Sequence, residues 1–157
     1  MVILMSTNFV FGDKSWEELK GVDTRLQAVV TCALTLTKQD FTVFDGLRTQ
    51  EEQMEMIRRG SSKATESKHL TGQAVDLVPY VAGKLRWEWN PIFVITKAVY
   101  EASSRTGIQL RWGGVWDEEF HRLNPDKLSN EVGAYIKRRQ DAGKRVFVDG
   151  VHFELLD

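Results

Sequence analysis

The sequence predicts an α+β domain, with a small, mainly antiparallel sheet and helices packed on one side. Three observations carry this prediction. Apolar residues recur at helical spacing in three separate runs, Leu26 to Ala33, Ile92 to Ala102 and Leu128 to Ile136. Short β-favouring runs fall between them, at 41–47, 74–78 and 108–112. Near the end, Val146 to Val148 and Val151 to Phe153 flank Asp149-Gly150, a pair with strong hairpin preference.

Asp23 is a good N-cap, so the first helix is predicted to begin there, with Leu26, Val29, Val30 and Ala33 on its buried face. Phe41 to Leu47 reads as a strand. Thr49 and Glu52 have the spacing of a capping box, Met54 and Ile57 mark the inner side of the short helix that follows, and Gly60 ends it. Ser61 to Lys68 is a small, polar loop of the kind that carries functional groups. Asn90-Pro91 starts the main core helix, with Ile92, Ile95, Val99 and Ala102 on one face and Gly107 as its stop. Ile108 to Trp112 resumes as a strand, which Gly113-Gly114 turns. Asn124-Pro125 starts a last helix with Leu128, Val132, Tyr135 and Ile136 facing inward. Its basic end, Lys137-Arg138-Arg139, suits a helix C-terminus.

The 157 residues fit one domain, 1–157, with no repeat, low-complexity stretch, linker or separate binding module. A net charge of −1 argues against a nucleic-acid binder, and 27% charged residues indicate a soluble chain. The single cysteine, Cys32, excludes an internal disulfide framework and reads as a buried thiol in the apolar run 29–34. Met1 to Met5 is apolar but too short, and lacks the basic start, for a signal peptide. No stretch is long enough for membrane insertion. A monomer is expected.

Two stretches concentrate chemistry. Ser67 to Asp76 and Asp149 to Glu154 hold two of the three histidines and several carboxylates. A catalytic zinc takes three protein ligands and leaves a position for water, and His69, Asp76 and His152 are candidates for one such ion. His69 and Asp76 are too far apart for one helical turn, but a loop turning at Gly72 into a strand brings them together. In Val151 to Leu155 the apolar residues alternate with His152 and Glu154, so these two share the face opposite the core. Plainer readings stand beside this one. A lone histidine is more often a surface or hydrogen-bonded residue, Asp76 could serve an ion pair, and Asp149 could be present for its turn preference. His121, after Glu118-Glu119, reads as a surface residue, and the acidic run 117–119 as solvated. Ser67 either hydrogen-bonds near the site or starts the turn. Trp112 and Trp116 are candidates for lining a substrate groove, with core packing as the default for tryptophan.

Taken together, Ser67-Lys68-His69-Leu70-Thr71-Gly72, Ala74-Val75-Asp76, Gly46-Leu47-Arg48-Thr49, Gly113-Gly114-Val115-Trp116 and Asp149-Gly150-Val151-His152 resemble the zinc peptidases of the D-alanyl-D-alanine carboxypeptidase (VanY-like) superfamily. They look most like its L-alanyl-D-glutamate endopeptidases, the bacteriophage endolysins. The order of the motifs along most of the chain is more specific than any one of them. Val115 stands where relatives often carry Asp.

The resemblance implies that His69, Asp76 and His152 ligate one Zn2+ on the open face of the sheet and that Asp149 is the base. It implies that Arg48 binds or polarises substrate. On residues alone, Arg48 reads as a surface arginine at a strand-to-helix junction. Glu154 would orient a ligand histidine or stand as an exposed acid. The implied reaction is hydrolysis of the L-Ala–D-Glu bond in peptidoglycan stem peptides, lysing the host cell. Such an enzyme accumulates in the host cytoplasm and reaches the wall once the membrane is breached. A D-alanyl-D-alanine carboxypeptidase or dipeptidase with the same zinc site, and a non-catalytic zinc-stabilised wall-binding module, remain open alternatives.

Overall fold

The computed structural model describes residues 9–60 and 67–157. Met1 to Met5 and most of the 61–68 loop lie outside them. Among the described residues, five helices and five strands follow in the order α1 (Asp13–Leu19), α2 (Thr24–Leu36), β1 (Phe41–Asp45), α3 (Gln50–Arg58), β2 (Ala74–Val81), β3 (Lys84–Leu85), α4 (Trp89–Thr106), β4 (Leu110–Trp112), α5 (Leu128–Asp141) and β5 (His152–Leu155). A single 3₁₀ turn, Lys68–Thr71, precedes β2, and another, Phe120–Arg122, follows β4.

Four strands form the sheet in the order β1-β2-β5-β4, with β3 folded back on β2, and every pairing is antiparallel. Alternation then sorts the side chains into two faces. Val43, Val75, Leu77, Leu110, Trp112, Phe153 and Leu155 enter the main core with Leu26, Val29, Val30 and Ala33 of α2 and Ile95, Val99 and Ala102 of α4. Asp76, His152 and Glu154 occupy alternate positions and take the opposite face. The α+β architecture thus agrees with the sequence reading.

Several local predictions hold. Asp23 caps α2, its side chain accepting from the Arg25 N–H at 2.9 Å. Thr49 and Glu52 form a reciprocal capping box, and Gly107 ends α4 in the left-handed conformation at φ 72°.

Others need correction. A helix the pattern did not announce, α1, precedes α2 and lies along β1, where Ser15 Oγ accepts the Val43 N–H at 3.1 Å. α4 begins at Trp89 with Glu88 as cap, so Asn90-Pro91 falls inside its first turn. Asn124-Pro125 forms a turn, the Asn124 side-chain Oδ1 accepting from the Asp126 N–H, and α5 starts only at Leu128. Met54 is exposed, and the inner face of α3 is the polar Gln53. Cys32 is half-buried against the core.

The Asp149-Gly150 hairpin does not form. Residues 144–149 make no ladder, and β5 pairs instead with β2 and β4, from distant parts of the chain. Asp149 is anchored by its own N–H to Gly113 O at 2.9 Å, while the Gly113 N–H donates to His152 O at 2.9 Å.

Candidate metal centre

Three side chains converge on the open face of the sheet. Asp76 sits mid-strand in β2 directly opposite His152 of β5. His69 comes from the 3₁₀ turn, which Ser67 opens by accepting the His69 N–H at 3.2 Å. Ser67 is therefore a turn-starting residue. The turn ends at Gly72 with φ 72°, and a Cβ there would lie 2.3 Å from Gly21 O, so only glycine lets the chain swing back into β2. One ligand atom from each of His69, Asp76 and His152 falls within 4.8 Å of the other two.

The hydrogen bonds assign the tautomers. His69 Nδ1–H donates to Gly46 O at 2.8 Å, which leaves the Nε2 lone pair free. That Nε2 is fully buried, 3.3 Å from Asp76 Oδ1, and makes no hydrogen bond. His152 donates through Nε2–H to Glu154 Oε1 at 2.9 Å and points Nδ1 at Asp76 Oδ1, 3.3 Å away. Two imidazole nitrogens and a carboxylate oxygen thus face one point, with the far side of each ring held by an acceptor. This arrangement could hold a metal ion, with each ring fixed by an acceptor on its far side. An orphaned buried nitrogen costs about 1–3 kcal/mol, a cost that a cation at this point removes.

The electrostatics agree. Burial alone raises the Asp76 carboxyl, but His152 and then His69 outweigh it and hold the group well below the usual carboxylate range. Burial lowers His152, yet the carboxylates of Asp76 and Glu154 push it up to about 10. Without a cation His152 therefore also carries a proton on Nδ1, facing Asp76, and a metal ion at the same spot would take that proton's place. Asp149 is pushed up to about 6 by burial first and the Asp76 charge second. A cation among the three ligands lowers it again.

Arg48 is 5% exposed, not the surface residue that its type suggests. Its Nε and Nη2 donate to Asp45 Oδ2, its Nη1 to Gln53 Oε1, and Nη2 lies 3.8 Å from Asp76 Oδ2. Trp112 is fully buried and lines no groove. Its indole N–H donates to Gly150 O at 2.7 Å, bracing the Asp149 turn from behind. His121 pairs with Glu119 at 3.1 Å and stays outside the cluster.

The family described as phage L-alanyl-D-glutamate peptidase matches residues 5–156. The chain belongs to this family. The L-alanyl-D-glutamate peptidase of Escherichia phage T5 is 35% identical over 153 residues, spanning 95% of this chain and 99% of that protein. The crystal structure of the Serratia marcescens L-Ala D-Glu endopeptidase ChiX matches with a TM-score of 0.70 at 33% identity, covering 98% of this chain and 95% of its own.

Some residues of this peptidase's centre escaped the sequence reading. Gly46 orients His69 through a carbonyl, which no side-chain pattern reveals. A Cβ on it would sit 1.9 Å from Glu18 O, so its place beside Arg48 in the recognised segment was the available signal. Gln53 and Asp45 hold Arg48 with no sequence signature. Trp116 lays its ring 5.2 Å from that of His152 and stacks on Phe147, where Trp112 had seemed equally eligible.

Proposed function

We propose that this chain is a zinc metallopeptidase that hydrolyses the L-Ala–D-Glu bond of peptidoglycan stem peptides and acts as a phage endolysin on the bacterial wall. The observation that carries the reading is the buried, unpartnered His69 Nε2 facing Asp76 Oδ1 and His152 Nδ1, with Asp149 alongside. Family membership supplies the bond.

His69, Asp76 and His152 would hold the ion. Bound there, zinc supplies a Lewis acid for the scissile carbonyl and acidifies water to a pKa of about 7. The Asp149 carboxylate takes the proton from the attacking water and delivers it to the departing amine of D-Glu. Arg48 is buried with three of its N–H groups committed to Asp45 and Gln53 and Nη2 3.8 Å from Asp76 Oδ2, which favours a role steadying Asp76 over gripping substrate from solvent. Glu154 holds the His152 ring in the tautomer that presents Nδ1.

Mass spectrometry of purified peptidoglycan digested with and without chelator tests this. The expected result is new L-Ala carboxyl ends and D-Glu amines, abolished by chelation and restored by zinc. Loss of terminal D-Ala alone would make the enzyme a carboxypeptidase, and no cleavage under any metal condition would overturn the catalytic assignment.

A further inference from the structure

We propose that Phe44, Trp87 and Trp89 form a carbohydrate-binding shelf beside the metal centre, which takes the amino sugar of the glycan strand carrying the stem peptide. This rests on the peptidase reading above and extends it from the peptide to the sugar.

The three rings are 36%, 54% and 39% exposed. Phe44 occupies the irregular position of β1 between Val43 and Asp45, and Asp45 lies directly opposite Asp76. Trp87 meets Phe44 edge to face at 5.3 Å. Trp89, two residues on, packs over Gly150, where a Cβ would approach its ring to 2.5 Å, and Gly150 adjoins Asp149. Ile92, which also meets the Gly150 position, forms with Val78 and Val151 a small cluster distinct from the main core. Exposed aromatic rings gathered at one place mark a contact surface, whereas single ones are ordinary. On the other aromatic flank Trp116 has the rings of both His152 and Phe147 against it, whereas Trp89 has the stacked ring of Phe93 and Trp87 an edge contact with Phe44.

The substrate's chemistry selects the occupant. In peptidoglycan the L-Ala nitrogen is acylated by the lactyl ether of the amino sugar. The pyranose therefore lies two to three backbone units, about 10 Å, from the scissile carbonyl. Phe44 is one strand step and one inter-strand spacing from Asp76, about 6 Å between backbones, with its ring reaching further. A pyranose offers C–H bonds of partial positive charge, which stack on the negative faces of aromatic rings. The rim supplies hydrogen-bonding groups for hydroxyl and N-acetyl substituents. Arg86 and Glu88 pair at 3.3 Å in the open, and Lys14 Nζ lies over one face of the Phe44 ring, 5.3 Å from its centre, which leaves the more exposed Trp87 as the main stacking surface. Past Phe44 the surface continues into a cleft of about 450 Å³ lined by Lys14, Asp40, Tyr80 and Leu85, along the line a longer glycan would follow.

The test compares two substrates with the same peptide, one bearing N-acetylmuramic acid on the L-Ala nitrogen and one bearing a plain acetyl group. Wild-type protein is expected to prefer the muramyl substrate in kcat/KM. Trp87→Ala is expected to reduce that preference by about fivefold to tenfold, the scale of one aromatic contact, with little change on the acetyl substrate. Phe44→Leu, which keeps the apolar packing and removes the ring, should act in the same direction. Trp16→Ala, removing a 50% exposed ring that packs on Phe11, should leave the preference unchanged. Because the readout is a ratio within one variant, loss of folded protein cancels. Equal losses on both substrates, or an unchanged ratio, would overturn the shelf while leaving the peptidase reading intact. Cleavage of neither substrate by wild-type protein would overturn the peptidase reading, and the shelf with it.

Discussion

Removing Glu154 should weaken metal binding without touching a ligand. Its Oε1 accepts from His152 Nε2–H at 2.9 Å, and its other oxygen lies 3.5 Å from Lys68 Nζ. With Glu154→Ala the His152 ring loses the group that fixes its tautomer and the nearby negative charge that strengthens Nδ1 as a donor. Loss of such an outer partner costs roughly 10–100-fold in metal affinity, about 1.4–2.7 kcal/mol. Glu154→Gln keeps an oxygen that can accept from Nε2–H but removes the charge, so it should fall between wild type and Ala. His152→Ala, which deletes a proposed ligand, should lose more than either. Competition against a chromophoric zinc chelator at fixed pH gives the three affinities directly. If Glu154→Ala bound zinc within twofold of wild type while His152→Ala did not bind, the Glu154 contact would be incidental and the outer-shell argument wrong.

Asp149→Ala should keep zinc affinity within a few-fold and lower turnover by at least about 100-fold, as read from peptide release. An unchanged rate would remove Asp149 as the base. Gly46→Ala should destabilise the fold and impair metal binding together, because its Cβ meets Glu18 O at 1.9 Å and its carbonyl orients His69. Denaturant midpoints and chelator competition measure the two effects. The Arg138 guanidinium, bound to both oxygens of Asp117 at 2.8 Å, holds that carboxyl below its ordinary value. A carboxyl depressed in the folded state stabilises above its unfolded pKa and loses that contribution as pH falls through the folded value. Asp117→Asn should therefore cost about 0.5 kcal/mol at pH 7, limited by solvent screening, and the gap to wild type should narrow below about pH 4. Urea midpoints at pH 7 and pH 3 check the sign.

What the sequence determined by itself was local or written in motifs. The Asp23 cap, the Thr49–Glu52 box and the Gly107 stop depend on residues within a few positions of one another. So do the inner faces of α2, α4 and α5, and all were legible as spacing. His69, Asp76 and His152 could be named together because the order of several motifs resembles one peptidase family.

Tertiary structure decided what depends on partners far along the chain. Asp149-Gly150 has the chemistry of a hairpin, yet β5 is drawn between β2 and β4, where both its edges are satisfied. Arg48 is buried because Asp45, Gln53 and Asp76 surround it with oxygen acceptors, and a charge so neutralised can leave water. Trp112 and Trp116 look alike in sequence, but one faces the core and the other the site, since strand pairing places Trp112 opposite Phe153. The tautomer of His69 rests on the carbonyl of Gly46, 23 residues earlier. Backbone acceptors and packing faces have no residue type of their own, so only the folded arrangement brings them into view.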